Sequence, residues 1–111
     1  ALAMPLQEIE KRAGRLRDRI VALASGHLEV SVIDGTSEVG GGALPLESIS
    51  TRLVAVRSAH LSAPVLEGRL RRTDPPAMVR IKDDLVVLDP RTVLEDELET
   101  LANLVASVAA T

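Results

Sequence analysis

Met78-Val79-Arg80-Ile81-Lys82-Asp83-Asp84-Leu85-Val86-Val87-Leu88-Asp89 is the stretch whose reading settles the fold class. Apolar and β-branched residues flank an Asp-Asp pair. Aspartate tolerates the left-handed backbone that a two-residue hairpin loop requires, so the pattern predicts strands over Met78–Lys82 and Leu85–Asp89 joined by a tight turn. Strands connected this closely pair antiparallel, because a parallel pair needs a crossover of about a dozen residues or more.

Upstream, Asp74-Pro75-Pro76 ends whatever precedes it, since proline lacks the backbone donor and restrains the residue before it. What precedes it reads as a short helix: Ser62 as N-cap, Pro64 in the first turn, Val65, Leu66 and Leu70 as its apolar face, and an end near Thr73. Before that, Arg52 to Arg57 reads as a strand with Leu53 and Val54 among the core candidates. Leu28, Val30 and Val32 alternate with Glu29, Ser31 and Ile33, which predicts another strand with one strongly apolar face. Asp34-Gly35 is expected to turn the chain there. Thr36 to Pro45 holds Gly40-Gly41-Gly42, which suits a bend or a close backbone approach better than an ordinary strand interior.

A helix stands at each end of this array. Leu6, Ile9, Ala13, Leu16, Ile20 and Leu23 recur at spacings of three and four, predicting a helix over Pro5–Ala24 that Gly26 stops. Thr92-Val93-Leu94-Glu95 matches a capping box, and Leu94, Leu98, Leu101, Val105 and Val108 continue as a stripe to about Ala109. The predicted order is α-β-(β)-β-α-β-β-α. That is an α+β fold: an antiparallel or mixed sheet of about four strands with three helices mainly on one face. Residues 1–111 read as a single domain with an entry helix (1–26), a sheet with a short helix (27–91) and a C-terminal helix (92–111). Helix-like text already under way at Ala1 raises the expectation of a piece of something longer.

The 111 residues carry 13 basic and 16 acidic side chains, a net charge of −3, so any nucleic-acid contact must be local. There is no Phe, Tyr or Trp to stack bases or build an aromatic cage. Without cysteine the chain has no disulfide framework, thiolate metal site or thiol nucleophile, and a reducing compartment such as the cytoplasm fits. No apolar run approaches the roughly 18 residues of a membrane span.

Candidate chemistry is sparse. His27 and His60 have no partner at metal-ligand spacing, and neither of the two lysines, Lys11 and Lys82, sits in a desolvated setting that would suit a Schiff base. Gly40–Gly42 lacks the Gly-Lys-Ser/Thr ending of a phosphate loop. Ser37, Asp34 and a histidine form a triad only on paper. On the first helix, Glu8 is placed to meet Arg12. Lys11, Arg12, Arg15, Arg17 and Arg19 read as a solvated face, since acidic residues interrupt them. Arg69, Arg71 and Arg72 close the middle helix, where cations oppose its dipole, and a phosphate contact is the alternative. Arg91 stands where a strand hands over to the last helix. It contacts either Asp89 or the backbone, or else faces an anion in a neighbouring site.

Three segments together resemble the C-terminal part of bacterial selenocysteine synthases, the pyridoxal-phosphate-dependent L-seryl-tRNA(Sec) selenium transferases. They are Met4-Pro5-Leu6-Gln7-Glu8-Ile9; Asp34-Gly35-Thr36-Ser37-Glu38-Val39-Gly40-Gly41-Gly42-Ala43-Leu44-Pro45; and Asp74-Pro75-Pro76 with Arg80-Ile81 and Asp89-Pro90-Arg91-Thr92-Val93. The order is right over nearly the whole chain, and the G-T-S-x-x-G-G-G-x-L-P stretch is the most specific part. Asp83-Asp84 and Pro90 depart from the usual pattern.

The resemblance implies a fold-type-I transferase in which a large domain of the same chain holds pyridoxal 5'-phosphate on a lysine. This small domain would pack beside it, cap the active site and hold no cofactor or catalytic residue itself. The parent reaction would convert seryl-tRNA(Sec) to selenocysteinyl-tRNA(Sec) with selenophosphate, in a homo-oligomer without membrane attachment. It nominates Arg91, then Arg80, with Thr36, Ser37 and the backbone of Gly40, Gly41 and Gly42, as facing substrate or anion. Arg69, Arg71 and Arg72 are possible phosphate contacts. Two alternatives keep the same residues: the small domain of a related lyase acting on sugar-acid phosphates, or a non-catalytic oligomerisation module using the apolar faces of the first and last helices.

Overall fold

The computed structural model describes residues 5–24, 26–39, 47–93 and 95–109. Its elements are α1 (Leu6–Ala24), β1 (Leu28–Val39), β2 (Glu47–Ser58), α2 (Ala63–Arg71), β3 (Arg80–Lys82), β4 (Leu85–Leu88), single 3₁₀ turns at Pro90–Thr92 and Glu95–Glu97, and α3 (Leu98–Ala109). The four strands form one antiparallel sheet in the order β1-β2-β4-β3. The α+β class and the antiparallel hairpin both agree with the sequence.

Alternation assigns the two faces. Val30 lies opposite Val56, Val32 opposite Val54, and Val54 opposite Leu88, so one face is a continuous aliphatic surface. α1 and α2 pack on it, and α3 closes the same core by packing against α1 and α2. Ile9, Ala13, Leu16, Ile20 and Ala24 of α1 are buried, as are Leu66 and Leu70 of α2 and Leu98, Leu101, Ala102, Val105, Ala106 and Ala109 of α3. Arg19 on α1 donates to the carboxylate of Glu99 on α3 (Nε–Oε2 2.8 Å), tying the two helices together on the solvent side.

Local chemistry explains the element ends. Ser62 Oγ accepts the Val65 N–H at 3.4 Å and starts α2. Gly26 adopts φ +87°, the left-handed conformation that ends α1. Asp83 and Asp84 both have positive φ, 52° and 63°, as a two-residue turn between paired strands requires.

Several expectations are corrected. Asp34-Gly35 does not turn the chain: β1 runs through it, with Asp34 opposite Arg52 and Gly35 opposite Thr51. The glycine is there because a Cβ on Gly35 would stand 2.4 Å from Cδ1 of Leu53. It makes room for a side chain and does not bend the backbone. Thr36–Val39, read with the glycines as a bend or close approach and not as ordinary strand, continue β1 instead, paired with Glu47–Ser50.

The last α-helix begins at Leu98, not at Thr92. Asp89 Oδ1 accepts the Arg91 N–H at 3.0 Å, Val93 N–H returns to Pro90 O at 3.3 Å, and Arg12 Nη1 takes the Val93 carbonyl at 2.8 Å. Thr92 and Val93 thus belong to a separate turn that starts at Pro90. Leu94 lies outside the described residues.

β3 starts at Arg80 and not at Met78, because Ala77 N–H is bound back to Leu70 O at 3.1 Å and Met78 is left 73% exposed. Leu23 and Val65 also surface, each a position to the side of the buried row that Ala24 and Leu66 complete.

Candidate functional site

β1 and β2 pair along their whole length, from Leu28 opposite Ser58 to Val39 opposite Glu47, but β2 pairs with β4 only over Val54–Val56. Residues 34–39 and 47–52 therefore form a two-stranded arm that outruns the four-stranded part of the sheet. Two strands alone are marginal in water. This arm is held by basic side chains from outside it.

Arg80 Nη2 donates to the Thr36 carbonyl at 2.7 Å, and Lys82 Nζ lies 3.5 Å from the Asp34 carbonyl. Arg91 Nη2 donates to the Ser50 carbonyl at 2.9 Å. Arg52 Nε lies 3.2 Å from both the Asp34 carboxylate and Glu10 of α1, which anchors the base of the arm to the helical layer. Arg91 is itself only 8% exposed, and Asp89, which accepts its N–H, also receives the hydroxyl of the fully buried Thr51 at 3.3 Å.

Arg80 and Lys82 stand on β3, the edge of the sheet opposite β1. Three inter-strand spacings of about 4.8 Å separate those edges in a flat sheet, beyond the span of an arginine. Their contact with β1 means that the sheet curls over its outer face. Leu53, Ala55 and Val87, with Ile33 and Leu85 beside them, are enclosed there as a second, smaller apolar cluster.

The structure thus brings Thr36, Arg80 and Arg91 of the sequence-derived candidates together on the arm. Only the backbone of Ser37 is described. Gly40, Gly41 and Gly42 lie outside the described residues, between the arm's two strands. Arg69, Arg71 and Arg72 stand apart on α2. Arg69 Nη1 reaches Val108 O at 3.4 Å, Arg71 lies 3.3 Å from Glu67, and Arg72 folds beside Gly68. On α1, Arg12 and Arg19 are used within the fold, and Arg17 lies 3.0 Å from Asp18.

His27 and His60 are exposed, and Asp34 is paired with Arg52, so no triad is assembled from the described residues. Among those residues no group of three or more His, Asp or Glu is placed to hold a metal.

Sequence reading missed Lys82, Thr51, Arg52 and Glu10. A signal existed for Lys82 alone, since it stands two positions from Arg80 on the same face of one strand.

Lys11 is on the exposed side of α1 and Lys82 is directed to the arm. A groove of about 320 Å³ between Pro75–Met78 and α3 is lined by Val93, Glu97, Thr100, Leu101 and Leu104, with no basic residue.

Fold and site together define an α+β unit built around a clasped β-arm, with no anchor for a cofactor among the described residues. The SelA family model, described as L-seryl-tRNA selenium transferase, matches residues 1–94. The chain is 39% identical over 102 residues to an L-seryl-tRNA(Sec) selenium transferase of Solidesulfovibrio magneticus, covering 90% of this chain and 22% of that protein. It is 36% identical over 101 residues to one of Moorella thermoacetica, covering 91% and 21%. The match to one of Hyphomonas neptunium is 34% over 109 residues, covering 98% and 23%. This chain belongs to the L-seryl-tRNA selenium transferase family, and spans only about a fifth of the length of the relatives it matches.

Proposed function

We propose that the chain is the C-terminal small domain of a pyridoxal-phosphate-dependent L-seryl-tRNA(Sec) selenium transferase. In this reading it packs on a larger domain of the same polypeptide, in a homo-oligomer, and caps the active site where seryl-tRNA(Sec) is converted to selenocysteinyl-tRNA(Sec) with selenophosphate. The larger domain holds the cofactor, which supplies the bond-breaking chemistry when bound.

This chain contributes shape. The arm carries Thr36 and Ser37 toward the substrate, and Gly40–Gly42, which follow in sequence, are of the residue type that allows a backbone to come close to a ligand. Arg69, Arg71 and Arg72 lie on a separate element and offer phosphate contacts to tRNA. No helix of the described residues is long and apolar enough to cross a membrane.

The observation that carries the reading is the family match over residues 1–94, a span that includes the arm. The test compares this chain with the full-length polypeptide containing it, each supplied with seryl-tRNA(Sec), selenophosphate and pyridoxal phosphate. Selenocysteinyl-tRNA is expected from the full-length protein only, and replacing Gly40–Gly42 by alanines is expected to lower its turnover. Product from the isolated chain, or full activity after deletion of this segment, overturns the reading.

A further inference from the structure

We propose that Arg80 and Arg91 are positioning residues that hold both strands of the arm at the Thr36–Ser50 rung and so fix where its far end lies; this rests on the capping role proposed above. The two arginines come from different elements, β3 and the turn after β4, yet they take the carbonyls of Thr36 and Ser50. Thr36 and Ser50 are direct cross-strand partners. One rung of the ladder is therefore gripped on both strands.

The two rungs behind it are fixed as well. Thr51, opposite Gly35, bonds Asp89, and Arg52, opposite Asp34, reaches Glu10 while Lys82 takes the Asp34 carbonyl. Ahead of the grip the arm continues to the pair Val39–Glu47.

The geometry makes the grip a fulcrum. Three residues of strand beyond it span about 10 Å, so a swing of about 6° at the rung moves the far end by about 1 Å. Displacements of that size in a positioned group slow reactions by up to about a hundredfold. Both guanidiniums already donate to backbone carbonyls, and Arg91 is buried. Their role is to hold the arm, not to bind a substrate anion.

The experiment uses Arg80→Ala, Arg91→Ala and Arg91→Lys, with Arg57→Ala, an exposed cation elsewhere on β2, as control. In the full-length protein, both alanine variants are expected to lower kcat for selenium transfer about tenfold or more, with KM for selenophosphate and seryl-tRNA unchanged. Arg91→Lys, which keeps a donor for Ser50, is expected to restore part of kcat. In the 111-residue chain, amide hydrogen exchange at residues 34–36 and 50–52 is expected to quicken about tenfold in the alanine variants while α1 amides stay as protected as in the parent chain. A raised KM for selenophosphate at constant kcat overturns the proposal in favour of an anion contact. Unchanged exchange at the rung overturns it outright. Global loss of protection in both alanine variants also overturns it, since the arginines then hold the fold and not the arm. If the unsubstituted full-length protein transfers no selenium, the capping reading fails, and the exchange result decides the clasp by itself.

Discussion

Gly35→Ala tests the curled sheet most directly. Gly35 has no positive φ, so alanine fits its backbone. On propensity alone the substitution would stabilise a strand by about 0.5–1 kcal/mol, because the unfolded chain loses freedom. The structure reverses the sign. The new Cβ would lie 2.4 Å from Cδ1 and 2.8 Å from Cγ of Leu53, a side chain with no exposure. Forcing a methyl into such a site costs about 1–3 kcal/mol. Leu53→Ala alone should cost about 2–5 kcal/mol by leaving a cavity. In the double variant the added methyl occupies part of that cavity, so the combined loss should fall short of the sum by at least about 1 kcal/mol. With no tryptophan or tyrosine to report by fluorescence, urea unfolding followed by far-ultraviolet circular dichroism is the assay. Additivity within about 0.5 kcal/mol, or a stabilising Gly35→Ala, refutes the packing of Leu53 over Gly35.

Three further outcomes follow from particular contacts. The Arg19 hydrogen bond holds the Glu99 carboxyl below the ordinary carboxylate range. The pair's contribution is therefore present above the unfolded-state value and is lost as pH falls through the folded-state value. Arg19→Ala should flatten stability against pH in that acidic window and leave the slope near neutrality unchanged, read from urea midpoints at graded pH. Ser62→Ala should cost about 0.5–1 kcal/mol, the lower part of the N-cap range because the bond is long, and calorimetry should show a melting point lower by a few degrees. Asp84→Gly should stabilise the chain by about 0.5–1 kcal/mol, since the position has φ +63° and glycine adopts it without Cβ strain; a destabilised variant in the same unfolding assay would mean that the Asp84 side chain itself supports the turn.

Some of this was legible in the residues and some was not, for identifiable reasons. The α1 row of Ile9, Ala13, Leu16 and Ile20, the Ser62 cap and the Asp83-Asp84 hairpin depend on neighbours a few positions away, and each is found where the sequence places it. Asp34-Gly35 carries the same kind of turn signal and does not turn, because its glycine answers to Leu53 on the facing strand. Thr92–Glu95 reads as a cap, but Arg12 from α1 claims the Val93 carbonyl that would otherwise lie at the start of the helix. For the candidate site, the positions of Arg80 and Arg91 were legible and their targets were not.

Periodicity, capping and turn chemistry by themselves determined the helices, the antiparallel hairpin and the α+β class, because those preferences act within one or two turns of chain. The tertiary structure alone decided that β1 passes through Asp34-Gly35, that the sheet curls over Leu53, and that Arg80 and Arg91 meet the same rung from two sides. Each of these depends on atoms more than a dozen residues apart along the chain, brought together only when the aliphatic face of the sheet is buried beneath the helical layer.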